Sequence, residues 1–251
     1  MTLHAQSRRG TDGTGPPRGR IRVDLMSGFR LTQDELALDL PRSAQRLVAL
    51  VALLNRPALR HYVAGTLWLD TSEGRALANL RSALWRLRRP GGAIFEVKGD
   101  RLSLAADVAV DVRELTDWAH DLDRRDPVDL DEVHLDQLLS ADEILPDWYD
   151  DWLLLERERF RQIRLHALEI CCVRLAGAGR FGRAIELGLS AVASEALRES
   201  AHRALIRAYL AEGNVSEAMR QYKTYCHILR KELRLDPSPL IEELVAGLRR
   251  A

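Results

Sequence analysis

The sequence predicts two domains, a small α+β domain of the winged-helix type followed by an all-α domain of tetratricopeptide-like helical repeats. A length of 251 residues is enough for two domains that each bury a core. Short alternating runs followed by three helical segments and a hairpin give the element order of a winged helix. The helical remainder contains an internal repeat with a shift of 34 residues, which is the tetratricopeptide period.

The N-terminal part begins with a predicted disordered tail at residues 1–20, which are rich in Gly, Pro, Ser and Arg and have little to bury. From Ile21 to Leu40, short alternating runs separated by turn residues predict an antiparallel meander. We expect the α+β domain to extend over residues 21–105 and the helical domain over residues 106–251.

Three helices and a hairpin complete the first predicted domain. Ser43 is the predicted N-cap of the first helix, which should end at Asn55. A shorter helix is expected from about residue 60 to 67, and a third from about 73 to 89, where a Pro-Gly-Gly sequence ends it. The segments AIFEV and RLSLA after it predict a hairpin turning at residues 98–100.

Residues 106–251 are predicted to be helical almost throughout. Aligning AGRFGRAIELGL with EGNVSEAMRQYK places Gly179 over Gly213 and Ala184 over Ala218. In such repeats each helix pair stacks on the next, because one pair alone cannot bury its apolar face. We therefore expect a concave binding surface between residues 140 and 245.

The charges are distributed unevenly between these domains. The chain has 37 basic and 37 acidic residues, so its formal net charge is zero. Residues 1–105 hold 17 Lys and Arg against 9 Asp and Glu, a net charge of +8, and the remainder holds 20 against 28, or −8. A basic half joined to an acidic half indicates that the N-terminal end meets phosphates.

The third helix carries the candidate binding residues. In a helical projection Leu77, Leu80, Leu84 and Leu87 form one apolar stripe with Ala76 and Ala83 on its flank, which predicts the buried face. The opposite arc is basic and almost without acid, with Trp85 at its edge. Arg and Asn suit the guanine and adenine edges of the major groove, and a small Ser permits close approach. The predicted base contacts are Arg75, Asn79, Ser82 and Arg86.

Phosphate contacts are predicted around this helix. The hairpin would act as a wing against the minor groove or the backbone, and the N-terminal dipole of the second helix favours an anion. A merely solvated basic helix face is the alternative interpretation, which the element order and the basic hairpin disfavour. The predicted phosphate contacts are Arg60, His61, Arg81, Arg88, Arg89, Lys98 and Arg101.

Metal and redox sites are not indicated. Cys171, Cys172 and Cys226 offer neither a disulfide framework nor the spacing of a zinc site. Because Cys171 and Cys172 are adjacent on a helix, one should be in the core and the other partly exposed. The seven histidines include no HExxH sequence. We therefore expect no metal, and a redox switch is disfavoured.

Enzyme chemistry and a membrane location are not indicated either. The acids around Asp147, interleaved with Trp148 and Trp152, could suggest paired catalytic carboxylates; we interpret Asp147 as a helix cap and the aromatics as packing residues. The sequence has no signal peptide and no apolar run long enough to span a membrane. We expect a cytoplasmic, nucleoid-associated protein that is not an enzyme and has no cofactor and no membrane partner.

Four segments together resemble the Streptomyces antibiotic regulatory proteins (SARPs): RALANLRSALWRLRR, LVALVALLNRPALRHYVAGTLWLD, LPDWYDDWLLLERERFRQIRLHALE and RESAHRALIRAYLAEGNVSEAMRQYKTYCHILRKELRLDPSPL. The resemblance extends over about residues 21 to 245. It implies an OmpR/PhoB-type winged helix and a bacterial transcriptional activator domain. It further implies binding to direct repeats in double-stranded DNA, where two copies can form a homodimer, and recruitment of RNA polymerase with its sigma factor to secondary-metabolite genes. Since no GxxxxGK[ST] sequence is present, the chain resembles the small, ATPase-free form.

Two other functions remain open at this point. The first is a regulator that senses a ligand through its helical domain, with a pocket near Trp148, Trp152 and Cys226. The second is an adaptor whose winged helix binds protein. An adaptor predicts affinity that is almost insensitive to salt, whereas a DNA-binding protein that neutralises about four to eight phosphates loses orders of magnitude as salt rises.

Overall fold

The computed structural model describes residues 20–87, 93–122, 130–141 and 143–247, so almost all of the predicted tail lies outside the described residues. The contacts divide the chain into two units. The N-terminal unit comprises the described residues up to Val23 together with Arg30–Ala109, and the C-terminal unit comprises Asp24–Phe29 and the described residues from Val110 onward. Segment 24–29 therefore belongs to the C-terminal unit, although it lies near the start of the chain.

The N-terminal unit contains the predicted meander, three helices and a hairpin. Its strands form two small sheets, with orders β3-β2-β1-β7 and β4-β6-β5. The strands are β1 (Ile21–Asp24), β2 (Arg30–Gln33), β3 (Leu36–Ala37), β4 (Ala58–Leu59), β5 (Phe95–Lys98), β6 (Arg101–Leu104) and β7 (Ala109–Val110). The helices are α1 (Arg42–Leu54), α2 (Arg60–Leu67) and α3 (Glu73–Arg86).

Helix α1 is the buried centre of this unit, with Leu47 and Val51 fully excluded from solvent. It begins two residues earlier than predicted, because its N-cap is Pro41 and not Ser43. Pro41 holds the extended conformation of a cap, and its carbonyl accepts the N–H of Ala44 at 2.9 Å. The prediction that Ser43 caps the helix was wrong, because the fixed φ of the proline already sets the helix start. The predicted end is confirmed: Asn55 adopts the left-handed conformation, with φ +46°.

The C-terminal unit is helical, and α6 is its longest helix. Helices α7 and α8 pack on α6 and on each other, α9 packs on α8, and α4 packs on α6. The helices are α4 (Asp111–Leu122), α5 (Glu132–Ser140), α6 (Asp151–Gly177), α7 (Phe181–Ser194), α8 (Glu199–Glu212), α9 (Val215–Leu233) and α10 (Pro239–Ala246). Gly179 and Gly213, which the internal repeat aligns, both have positive φ and each precedes the next helix.

A buried carboxylate holds segment 24–29 in the C-terminal unit. Asp111 opens α4 and accepts the backbone N–H groups of Leu25 at 2.8 Å, Met26 at 2.9 Å and Val112 at 2.7 Å. Burial raises the pKa of Asp111 against the lowering effect of these hydrogen bonds. The backbone N–H of Leu145 also donates to the carbonyl of Leu25. These bonds join residues that are far apart in the sequence. A local sequence pattern therefore does not predict that residues 24–29 belong to the C-terminal unit.

The start of α6 differs from the prediction. The helix begins at Asp151 and Asp150 precedes it, so Asp147 is not its cap. Trp148 does serve packing, because it is buried and stacks on Phe29 with ring centroids 5.9 Å apart. Within the described ranges, no helix combines the length and the apolar character needed to cross a membrane.

Candidate nucleic-acid interface

Helix α3 packs on α2 and α1 through a buried side that differs from the predicted one. Ala76, Leu80, Ala83 and Leu87 are buried, whereas Leu77 and Leu84 are only half-buried. The small alanines let the neighbouring helices approach closely, which moves the buried stripe toward them. At about 100° per residue, the outward axis of α3 turns by about 50° from the predicted one.

This rotation changes which residues occupy the middle of the exposed face. Trp85, predicted at the edge, lies near the centre and is 72% exposed. Arg75, Arg81 and Ser82 are exposed around it, whereas Asn79 is half-buried. The hydroxyl of Ser82 donates to the carbonyl of Ala78 at 3.0 Å, so its oxygen remains able to accept.

The arginines of α3 are available for external anions. Across residues 20–87 and the other described ranges, Arg75 and Arg81 have no ion-pair partner. Arg86 is exposed at the end of the helix, and its Nη1 lies 3.5 Å from Ser43 Oγ of α1. The two predicted phosphate contacts Arg88 and Arg89 lie outside the described residues.

The hairpin turn and the start of α2 lie side by side. Strands β5 and β6 pair antiparallel with Lys98 opposite Arg101, and Gly99 between them has φ +61°. The backbone N–H of Arg60 donates to the carbonyl of Asp100 at 2.8 Å. The structure therefore brings together three predicted phosphate contacts from two separate parts of the sequence.

A short strand that sequence patterns did not reveal makes this arrangement possible. Strand β4 pairs with β6, which places Leu59 opposite Arg101 and so aligns the start of α2 with the hairpin turn. Two residues are too few to show an alternating pattern. The same region exposes Tyr62, and the Arg56 guanidinium lies 5.9 Å from its ring centroid; neither residue was predicted to take part.

The cations of the hairpin have weak internal partners. Lys98 Nζ lies 3.0 Å from Glu96 Oε1, and the Lys98 side chain is 79% exposed. Arg101 Nη1 donates to the carbonyl of Pro57 at 3.4 Å. An exposed ion pair of this kind contributes little, so a phosphate can replace it at small cost. His61 is exposed beside them in the first turn of α2.

The structure does not support a redox role for Cys171 and Cys172. Cys171 and Cys172 are both buried, so the expectation that one is partly exposed was wrong. The reason is that α6 is covered on more than one side, and a Cβ added at Gly188 of α7 would lie 3.1 Å from Cys172 Sγ. Burial raises the pKa of both thiols to about 12.

Cys226 lines an open groove of 570 Å³ on α9, together with Tyr222, Lys223, His227, Arg230 and Lys231. Trp148 and Trp152 are not among the residues that line this groove. Among the residues that the structure describes, no group of three or more His, Cys, Asp or Glu could hold a metal ion.

Comparison with known proteins relates the C-terminal part of the chain to a described domain. The family model of the bacterial transcriptional activator domain matches residues 139–249. The SARP-type resemblance predicted from the sequence is confirmed by this match together with a relative that covers nearly the whole chain.

That relative is the regulatory protein AfsR of Streptomyces coelicolor (strain ATCC BAA-471 / A3(2) / M145). It is 27% identical over 251 residues, which are 95% of this chain and 25% of AfsR. The structure of Mycobacterium tuberculosis EmbR in complex with a low affinity phosphopeptide matches with a TM-score of 0.73 at 19% identity, over 92% of this chain and 65% of that chain. The chain thus spans about a quarter of AfsR, and the likeness to EmbR shows a fold with small N-terminal sheets followed by a helical domain.

Proposed function

We propose that this chain is a sequence-specific DNA-binding transcriptional activator. The N-terminal unit acts as an OmpR/PhoB-type winged helix, and the C-terminal unit is a tetratricopeptide-like domain that contacts the transcription machinery. The observation that carries the proposal is the exposed face of α3. It presents Arg75 and Arg81, which have no ion-pair partner among the described residues, around an exposed Trp85, in a chain whose residues 139–249 match the bacterial transcriptional activator domain.

Base recognition is assigned to α3 in the major groove. Arg75 and Ser82 are exposed on the same side of Trp85 and suit guanine acceptors and close approach to a base edge. Asn79 and Arg86 stand at the margin, where they contact bases beside the central ones. The exposed indole of Trp85 adds an apolar surface that suits the thymine methyl group.

Phosphate contacts fix the register of α3 in the groove. Lys98 and Arg101 at the hairpin turn lie beside Arg60 and His61 at the start of α2, where backbone N–H groups and the helix dipole favour an anion. Arg81 contacts the backbone from the side of α3, and Arg88 and Arg89 extend the same cationic stretch of sequence. Such contacts position the protein without reading sequence.

The biological role follows from the family likeness. A SARP-type activator binds direct repeats near a promoter, and two copies in the same orientation match such a site. The C-terminal unit then recruits RNA polymerase through contacts that include the sigma factor, and the genes switched on belong to secondary metabolism. The bacterial transcriptional activator domain at residues 139–249 supports this assignment.

Binding to the promoter DNA of the neighbouring genes, measured over a range of salt concentrations, tests the proposal. We expect tight binding to repeated sites, with log affinity falling linearly with log salt and a slope near −0.9 per phosphate contacted. Arg81→Ala should reduce the magnitude of that slope by about one contact. The matched control is Arg159→Ala, an exposed arginine of α6 in the C-terminal unit. Affinity that does not respond to salt would overturn the proposal and favour the protein adaptor.

A further inference from the structure

An open groove between α6 and α8 collects arginines in a half of the chain that is otherwise acidic. The groove has a volume of 360 Å³. Its lining residues are His166, Glu169, Ile170, Val173, Arg174, Ser200, Arg203, Ala204 and Arg207. The chain after residue 105 holds 28 acidic against 20 basic residues, so three arginines around one groove run against the surrounding charge.

The acid inside the groove is already engaged. The Glu169 carboxylate accepts hydrogen bonds from Arg198 Nε and from the Ser200 hydroxyl, the latter at 2.9 Å. It is therefore held by Arg198 and Ser200 at one end of the groove. The groove keeps a positive potential as a result, and low-dielectric walls on both sides strengthen such a potential.

The two arginines of α8 are one helical turn apart and present cationic groups to the groove. Arg207 is exposed, and the described part of the chain supplies no ion-pair partner for it. Arg203 is partly exposed, and its Nε lies 3.8 Å from Glu199 Oε1, which is beyond hydrogen-bond distance. Its guanidinium is therefore only weakly paired and can interact with a carboxylate in the groove.

Glu199 is held by other donors, because it accepts the backbone N–H of Ser238 at 3.0 Å as well as the Ser238 hydroxyl. Arg174 is fixed from the other wall, since its Nη2 donates to the carbonyl of Leu122 at 2.6 Å. The groove therefore has a preorganised cationic rim. The apolar residues that line the groove are Ile170, Val173 and Ala204.

We propose that this groove binds an acidic peptide segment of a partner protein, with carboxylates against Arg203 and Arg207 and an apolar side chain on Ile170 and Val173. A peptide fits better than a small metabolite because the groove is open, whereas pockets for small ligands bury most of the ligand surface. A peptide continues beyond the groove and gains contacts on either side. The proposal does not depend on DNA binding by α3.

The test uses the full chain without DNA and a short fluorescent peptide of alternating glutamate and leucine. Its anisotropy should rise on binding, and the affinity should fall as salt increases. Arg207→Ala should weaken binding about five- to tenfold and Arg207→Glu further. Arg159→Ala, an exposed arginine on α6 outside the groove, is the matched control and should leave the affinity unchanged.

Two further probes identify the ligand class. A peptide with glutamine in place of glutamate should bind at least about tenfold more weakly, and inorganic phosphate at millimolar concentration should not displace the acidic peptide. Equal affinity for the glutamine peptide, or unchanged binding by Arg207→Glu, would overturn the proposal. Displacement by phosphate at low concentration would overturn it in favour of a small-anion site. Because Arg207 is exposed, its variants should fold, which far-UV circular dichroism checks.

Discussion

Arginine has opposite roles in the two units. In the N-terminal unit, Arg75 and Arg81 point outward from α3 without ion-pair partners among the described residues. In the C-terminal unit, Arg164 of α6 is only 6% exposed. Its Nε donates to the carbonyl of Leu138 at 2.8 Å and its Nη1 to the Ser194 hydroxyl at 2.9 Å.

Several other arginines of the C-terminal unit follow Arg164, whereas Arg159 and Arg207 are exposed. Arg157 donates to the backbone carbonyls of Ile144 and Trp148 just before α6 begins, and Arg183 of α7 pairs with Asp136 of α5. These side chains join helices and loops within the unit, so they contribute to its fold. The arginines of α3 contribute little to folding and are left for an external anion, which is what a nucleic-acid interface requires.

The largest effect that tests this comparison is on stability. Arg164→Ala should lower the free energy of unfolding by about 2–4 kcal/mol, because it leaves the Leu138 carbonyl and the hydroxyls of Ser190 and Ser194 without their donor. Urea denaturation measures the change. The control Arg159→Ala removes an exposed arginine from the same helix and should change the stability very little. If Arg164→Ala and Arg159→Ala lower the free energy of unfolding equally, the buried Arg164 contributes no more to stability than an exposed arginine.

A contrast within the N-terminal unit comes next in size. Arg75→Ala should weaken binding about tenfold or more to the preferred operator and relax the preference at one base pair. Lys98→Ala at the hairpin turn should weaken binding to all sequences about equally, because it removes a phosphate contact. Affinities for a set of single-base operator variants measure both effects. If Lys98→Ala changes the preference at one base pair and Arg75→Ala weakens binding to all sequences equally, then the hairpin contacts a base and Arg75 contacts a phosphate.

The sequence predicted the elements of the interface but not the orientation of α3. Helix bounds and the hairpin follow from local signals such as the left-handed Asn55 and the turn at Gly99. Which side of α3 is buried depends on how closely α1 and α2 approach Ala76 and Ala83, and that distance is a tertiary property. The leucine spacing alone therefore misplaced Trp85. Likewise, strand β4 and the bonds of Asp111 join residues far apart in the sequence and leave no local pattern.

The interior of the C-terminal unit also predicts a dependence of stability on pH. His202 lies on α8 and is fully buried against α9. Its Nε2 lies 2.9 Å from the carbonyl oxygen of Ala196, and its Nδ1 lies 2.8 Å from the amide nitrogen of Gln221. Burial lowers its pKa from the ordinary 6.5. The unfolded chain therefore takes up a proton first, and the stability present above about pH 6.5 is lost as the pH falls, by at most about 1.4 kcal/mol per pH unit.

His202→Gln isolates this effect, since glutamine can still donate to the Ala196 carbonyl but does not titrate. We expect the free energy of unfolding of the wild type to fall more steeply than that of the variant between about pH 7 and pH 5.5. Urea denaturation over this pH range provides the measurement. Parallel pH profiles would mean that His202 takes up its proton without unfolding.

Two tryptophans give the smallest and most specific effect. Trp148 is buried against Phe29, whereas Trp85 is 72% exposed on α3. If Trp85 contacts a thymine methyl group, replacing that thymine with uracil should weaken wild-type binding about fourfold, the value of one buried methyl group. Trp85→Ala should lose a similar amount on the thymine operator and nothing further on the uracil operator, because the two changes remove the same contact. If the losses of affinity from Trp85→Ala and from the uracil operator add, Trp85 does not contact the methyl group. Its exposed indole would then be explained by contact with a protein instead. A Trp148→Ala variant should lower stability and, in its folded fraction, keep the response to uracil, which separates a tryptophan that builds the fold from one that meets the DNA.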